Sequence, residues 1–485
     1  MLSILGVAAG LALAVGIARL IVGQLSTSTR PVMLDVALDW RLLAFAVGLT
    51  CVITPLFTIL PALKATRCEP GAVMKAQART VTGDGSQAWG QWLVLVQVAL
   101  SLSLVVLAGL LIGTFTRLAS RPLGLESRRV VVAEVRLLPD AVAPGERPAL
   151  FDRLRTVVGE VPGVDATTLA TKVPLSNSGW NSGIVDVDGV DVGGEGRQRM
   201  VWASGVSDGF FATYGIAIHE GRDVSSSDTP DAPPVIIVNE AFVRRFIADG
   251  TALGRRVLQG VIGRPNTYSE YREIVAVVAD TAYHGNLRRD FGPAVYLPLT
   301  QLEGPAREFL HVAARSSAAD TGEVTAAITR TMDAVDPRIT ASVSAHQVFV
   351  RNALTQERLI ATVAGLFGGL ALILAIVGLY GVTAYTVSRR RFEIGVRLAL
   401  GATPGRVVRL VMHRVTLLIA FGVAAGIGLA LWAGTAVRVL LHDMEPSDPA
   451  TIAGAAAVLL VTGGLAGLVP AWRAARTDPS IALRQ

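Results

Sequence analysis

Gly205-Val206-Ser207-Asp208-Gly209 carries the G-x-S-x-G spacing of a nucleophile elbow. In that device a strand runs into a sharp turn that exposes the serine, a helix follows, and an acid and then a histidine downstream complete a triad. His284, His311 and His346 all follow Ser207. The plainer reading is a turn in which Ser207 or Asp208 caps a short helix at Phe210–Tyr214. Metal chemistry has less to draw on. His219-Glu220 lacks the second histidine of H-E-x-x-H, because position 223 is Asp. Asp280 and His284 are four apart with no third ligand nearby, and the chain holds only 6 His and 2 Cys. No metal or other cofactor is expected. A Walker A loop needs Gly-Lys-[Ser/Thr]. The only lysines, Lys64, Lys75 and Lys172, follow Leu63, Met74 and Thr171. The reading is therefore not that of an enzyme.

The segment Arg389–Pro404 has a different kind of chemistry. Arg389, Arg390, Arg391 and Arg397 alternate with Phe392, Ile394, Val396, Leu398 and Leu400. A connection that only kept positive charge on one side of a membrane would need the arginines but not the apolar residues between them. Their interleaving suggests a surface docked on something. Glu393 and Arg397 are four apart, so on a helix they share a face and can pair. Gly401 can end such a helix.

The elements that must position this segment are apolar. About half of the 485 residues are hydrophobic (51%), mean hydropathy is +0.50, and 17% are charged. That suits a membrane protein with a large aqueous domain. A spanning helix needs about 20 apolar residues. Met1–Gly23, Leu42–Leu63, Leu93–Phe115, Leu359–Ser388, Val415–Val437 and Ala450–Trp472 qualify, which predicts six spans in contact with membrane lipid. Arginine and lysine cluster at 64–79, 389–409 and 473–484, so these connections should be cytoplasmic. The acidic loop 442–448 and the long stretch 119–355 then fall outside. The basic clusters lie beside apolar runs rather than on a soluble face with stacking aromatics, so no nucleic-acid partner is expected. The long polar stretch has no cysteine, which rules out a disulfide framework there.

Within 119–355, strands are expected at Val130–Leu137, Pro234–Val238, Glu273–Ala279, Ala294–Leu297, Leu310–Ala314 and Ile339–Val343. Helices are expected at Arg147–Val161, Glu240–Ile247 and Thr321–Val335. The mixture suggests an α+β or α/β fold, long enough for two subdomains. From His346 the pattern turns helical and reads as continuous with the fourth span. The chain also repeats itself. Pro470-Ala471-Trp472-Arg473-Ala474-Ala475-Arg476-Thr477-Asp478-Pro479 matches Pro61-Ala62-Leu63-Lys64-Ala65-Thr66-Arg67-Cys68-Glu69-Pro70, and Gly422–Gly426 repeats Gly6–Gly10. A duplicated membrane module is expected, with Met1 falling inside its first copy.

At this point the chain resembles a family. Glu393-Ile394-Gly395-Val396-Arg397-Leu398-Ala399-Leu400-Gly401-Ala402, preceded by Leu379-Tyr380-Gly381-Val382, is similar to the coupling signature of FtsX/MacB-type ABC transporter permeases. Phe392 stands where that signature has Arg. Val206–Tyr214, Gly221-Arg222-Asp223, Val238–Phe242, Ile274–Asp280 and Val295–Pro298 resemble the MacB-like periplasmic core domain. The duplication resembles the acidobacterial-type "duplicated orphan permease" subgroup. The resemblance implies four regions. Residues 1–80 would be the last two spans and basic tail of a first FtsX-like module, and residues 81–118 a cytoplasmic linker and third span. Residues 119–355 would be the periplasmic core domain, and residues 356–485 a permease domain of three spans with its coupling segment at 389–404. It implies an α+β extracytoplasmic domain between the third and fourth of six transmembrane helices, in a bacterial inner membrane. It also implies a separate nucleotide-binding ATPase, contacted through Arg391, Glu393, Ile394, Gly395, Arg397, Leu400, Gly401 and Ala402, and a dimer or pseudo-dimer formed through the transmembrane helices. The expected function is a permease-type subunit passing ATPase-driven motion to the extracytoplasmic domain, for export or efflux. The alternative is a membrane-tethered regulator that docks an extracytoplasmic partner without ATP-driven transport.

Overall fold

The computed structural model describes residues 2–25, 40, 44, 47, 48, 51, 84–176, 181–188, 190–192, 199–247, 250–261, 269–283, 285, 287, 288, 290–302, 309–318, 320–400, 402–441 and 444–476. The chain forms two compact units. One is the inserted unit Leu118–Leu354, and the other is a helical unit built from Met1–Arg117 and Thr355–Gln485.

Among the described residues, the helices α1 (Leu2–Leu25) and α2 (Asp84–Ala119) precede the inserted unit. The inserted unit then runs β1 (Val130–Leu137), α3 (Arg147–Gly159), β2 (Val164–Ala170), β3 (Asn181–Val187), β4 (Val190–Asp191), β5 (Met200–Val206), α4 (Phe210–Tyr214) and β6 (Ile218–Gly221). It continues with β7 (Val235–Asn239), α5 (Glu240–Phe246), β8 (Arg256–Val261), β9 (Arg272–Val278), β10 (Ala294–Pro298), β11 (Phe309–Ser316), α6 (Gly322–Val335), β12 (Ile339–Ala345) and α7 (Gln347–Ala353). The strands form one mixed sheet in the order β12-β1-β11-β2-β5-β10-β7-β9-β8-β3-β4. Because β3 also pairs with β5, the strands β5, β10, β7, β9, β8 and β3 close into a hydrogen-bonded ring. The pairs β5–β10 and β7–β9 are parallel and the rest antiparallel, which makes the unit α+β.

Alternation explains the layers. In β1, Val131, Ala133 and Val135 face Leu150, Phe151 and Leu154 of α3 and Ile328 and Met332 of α6. Val130 and Val132 face the opposite way, into an aromatic cluster of Phe210, Phe211, Tyr214 and Tyr296. Phe211 and Tyr296 meet edge to face at 5.0 Å and Phe210 lies 5.0 Å from Tyr214, geometries favoured by ring quadrupoles. A third cluster, around Ile236, Phe242 and Ile274, sits on the closed ring.

Two buried titratable groups join the aromatic core. His346 is fully buried, donates from Nε2 to Pro174 O (2.9 Å), and stacks on Phe349. Burial pulls its imidazole down to about 4, against the opposing pull of the Pro174 carbonyl. Lys172 lies 4.4 Å over the Trp202 ring, and burial lowers its amine to about 8.

The helical unit resumes with α8 (Thr355–Arg389), α9 (Arg391–Ala399), α10 (Pro404–Ala436) and α11 (Pro449–Ala475). Among the described residues, Gly90–Ala119 of α2, α8, α10 and α11 are long and apolar enough to cross a membrane. The expected span Met1–Gly23 falls within α1, where Gly10–Arg19 is an apolar helical stretch among the described residues, and the expected span Leu42–Leu63 lies almost wholly outside the described residues. The helix from His346 is not continuous with the fourth span. It breaks at Leu354 (φ −97°, ψ 2°), which caps α7 by donating to carbonyls behind it. No Gly or Pro marks this stop, so the apolar pattern runs through it.

Small residues set the helix crossings. A Cβ on Gly422 would stand 2.5 Å from Val98 Cγ1, and one on Gly426 would stand 2.8 Å from Ala99 O. The Gly422–Gly426 repeat of α10 therefore packs against α2 within the same chain. On its other side α2 is stitched to α8. Gln97 Nε2 donates to Leu374 O (2.6 Å) and Ser101 Oγ donates to Ala371 O (2.9 Å). Such bonds recur between helices where no water competes.

Candidate functional site

The segment singled out for its interleaved charges is a helix. α9 begins at Arg391 and ends at Ala399, with Leu400 as its C-cap, and Gly401 lies outside the described residues. Thr403 then caps the start of α10, with Pro404 in its first turn. The two faces of α9 differ. Ile394 is buried with Val387 of α8, Val407 of α10 and Ala474 and Ala475 of α11, so it fastens α9 to the ends of three long helices. Gly395 is buried beside it. Glu393, Arg397 and Leu400 are exposed, and Ala402 is half-buried. Arg391 belongs to the helix backbone, but its side chain is outside the described set.

The expected i,i+4 pair is present: Arg397 Nη2 lies 2.7 Å from Glu393 Oε1, with Arg390 Nη1 3.8 Å from the other carboxylate oxygen. All three side chains are partly solvated, so this pairing adds under about 1 kcal/mol. Its use is to order an acidic group between two guanidinium groups on one face. Leu400 is 83% exposed, more than any other large hydrophobic among the described residues. Apolar area left open beside an ordered charge triplet is what a protein docking surface presents.

The elbow serine has another role. Ser207 Oγ accepts from Leu169 N (2.9 Å) and pairs with Thr168 Oγ1 (3.1 Å), which ties the end of β5 to β2. The helix that follows is capped by Gly209 with no side-chain bond, so neither Ser207 nor Asp208 is its cap, contrary to expectation. Asp208 instead pairs with Arg155 at 2.6 Å. Of the candidate bases, His311 faces Glu134 and His346 faces Pro174, while His284 lies outside the described residues.

The motifs that carried the family resemblance converge on backbone. Asn239 Oδ1 accepts from Phe242 N and Ala294 N, and its Nδ2 donates to Asp280 Oδ1 and Gly292 O. Asp280 also receives Ala241 N and Arg244. The Asn239 side chain thus joins β7, α5, β10 and the segment that follows β9. An Asn just before Glu240 is a visible helix-start signal. Gly221 sits at φ +84°, where a Cβ would lie 2.0 Å from Val275 O. Beside it Arg222 clamps Asp228 with both Nη atoms, holding that carboxyl below its usual range against the opposing effect of burial.

The MacB-like periplasmic core domain family matches residues 92–338, more than half of the chain. The chain belongs to that family. The FtsX-like permease C-terminal family matches residues 365–479, which takes in α9. This MacB-like chain is 24% identical over 439 residues to the pyoverdine export ATP-binding/permease protein PvdT of Pseudomonas fluorescens, covering 85% of the chain and 63% of the relative. It is 26% identical over 412 residues to the macrolide export ATP-binding/permease protein MacB of Sodalis glossinidius, covering 79% and 58%. The chain therefore spans less than two thirds of the length of these relatives. The crystal structure of the periplasmic region of MacB from Actinobacillus actinomycetemcomitans aligns with 47% of the chain and 93% of that protein, at 13% identity and a TM-score of 0.31.

Proposed function

We propose that this chain is the permease-type subunit of an ABC export system working by mechanotransmission. A partner nucleotide-binding ATPase docks on α9, and its motion passes through α8, α10 and α11 to an extracytoplasmic inserted unit. The observation that carries this reading is the two-faced α9. Its inner face is locked by Ile394 into the ends of three long helices, and its outer face presents Glu393, Arg397 and Leu400. A push on the outer face has a packed route into the helices. The relatives' names join ATP binding to a permease, which supports an ATPase partner here. The arginine-rich connections at 389–409 and 473–476 support a cytoplasmic α9, a multi-pass topology with six spans, and the inserted unit on the opposite side. The repeated segments support a duplicated module of the orphan-permease kind, assembled as a dimer or pseudo-dimer.

The test is co-purification. Glu393→Lys with Leu400→Asp reverses the central charge and removes the exposed apolar contact, while leaving Ile394 in place. The variant should insert and fold normally, but should lose association with an ATPase subunit and any stimulation of its ATP turnover. Normal binding and stimulation by the variant would remove α9 from the coupling role. If wild-type chain recruits no ATPase, the regulator that docks an extracytoplasmic partner becomes the better account.

A further inference from the structure

A cavity of about 730 Å³ opens in the helical unit between α2, α8, α9 and α10. That is the size of a ligand cleft rather than a packing defect. Its long wall is one stripe of α10, where Leu410, Leu417 and Phe421 remain 46%, 45% and 65% exposed. Arg414 interrupts this stripe one turn beyond Leu410, so the apolar wall past it is Leu417–Phe421. Arg414 to Phe421 is about 10 Å along the axis at about 1.5 Å per residue. That is about two thirds of one leaflet of hydrocarbon, itself about 15 Å deep. The opposite wall is Leu379, Val382 and Val387 of α8. One end of the cavity is charged, by Arg390, Arg397 and Arg414 against the single carboxylate of Glu393. Arg390 and Arg397 share that carboxylate. Arg414, ten residues inside α10 and exposed, has no ionic partner among the described residues. The site is thus a trough with an apolar wall beyond Arg414 and excess positive charge at its arginine end.

We propose that this groove binds one anionic phospholipid of the arginine-rich leaflet. Its phosphate lies between Arg414 and the Arg390–Arg397 side of α9, and one acyl chain starts along Leu417–Phe421. Charge complementarity selects the headgroup, because basic pockets between spans on the cytoplasmic side attract anionic lipids. The apolar wall beyond Arg414 selects an acyl chain over a soluble anion. The headgroup would touch the inner margin of α9, so occupancy would set how firmly α9 sits on the helix ends. The inference needs the helical unit to be in a membrane. It does not depend on an ATPase docking at α9, and its test contains no ATPase.

The experiment uses full-length chain in phosphatidylcholine nanodiscs containing a trace of phosphatidylglycerol with a photoactivatable acyl chain. Labelling should fall within peptides covering 379–397 and 410–421. Unlabelled phosphatidylglycerol should compete, and added phosphatidylcholine should not. Arg414→Gln should weaken that preference about fivefold, and Arg414→Lys should retain it. If Arg414→Gln fails to fold, the wild-type competition between the two lipids decides alone. Equal competition by phosphatidylcholine, or an unchanged preference in folded Arg414→Gln, overturns the proposal. So does an unlabelled groove in which Leu417→Cys cross-links two chains, since a second copy is then the occupant.

Discussion

In the inserted unit the largest side chains meet at the centre. Phe210, Phe211, Tyr214 and Tyr296 are nearly inaccessible and pack ring against ring. In the helical unit the residues at the closest crossings are glycines, Gly422 and Gly426 against α2, with Gln97 and Ser101 bonding the next helix. The contrast follows from solvent. In water, each buried aromatic ring removes a large apolar area from contact with the solvent, so large residues drive folding. In lipid the surroundings are as apolar as the side chains, so helices gain by close approach and by interhelical hydrogen bonds. One chain thus uses two rules of stability, and substitutions should separate them.

The largest effect should come from removing close approach. Gly422→Leu with Gly426→Leu puts side chains where Val98 and the Ala99 carbonyl stand. The cost should exceed the roughly 1–3 kcal/mol of one overpacked site, since two crossings are lost. Hydrogen exchange on the purified chain should show α2 and α10 unprotected while β1, β7 and β10 remain protected. Loss of protection in the inserted unit as well would mean that the units do not follow separate rules. Next, Phe210→Ala should cost the inserted unit about 3–5 kcal/mol, as other buried Phe→Ala changes do. The helical unit should keep its exchange protection.

A pH series sharpens the same comparison. His346 is held neutral at about 4 in the fold, whereas an unfolded histidine titrates near 6.5. Between those values the unfolded chain takes up a proton that the folded chain does not. Stability should therefore rise with pH across that window, be complete above about pH 6.5, and fall by about 3 kcal/mol on acidification to pH 4. Unfolding of the inserted unit measured against pH should show this slope, and His346→Phe should flatten it. Ser207→Ala should have the smallest effect, about 1–2 kcal/mol, because it leaves the buried Leu169 N–H without its acceptor. Labelling of wild-type Ser207 by a serine-directed covalent probe would contradict this structural role.

What the sequence revealed follows the same division. Strands buried on both faces, such as Val235–Asn239 and Ala294–Pro298, read directly as apolar runs, and Val130–Leu137 read by its alternation. Val164–Ala170 and Met200–Val206 did not, because Thr, Ser and Gly dilute the pattern and their pairing is with distant strands. Ser207 satisfied a motif by spacing, yet its partner is an amide 38 residues earlier in the chain. The break at Leu354 has no residue that signals it. At α9 the apolar residues between arginines gave a local cue to two faces, and Ile394 faces inward. The groove gave no such cue, because one of its walls, Gln91–Leu95 of α2, is far in the chain from the others at 379–421.

The proposed function puts α9 and the inserted unit on opposite sides of one membrane. Single cysteines at Ser227 and Arg409, both exposed, test it in a chain whose Cys51 and Cys68 are replaced by alanine. In spheroplasts a membrane-impermeant maleimide should label Ser227→Cys at once, and Arg409→Cys only after permeabilisation. Equal labelling of the two sites in intact spheroplasts would contradict the account.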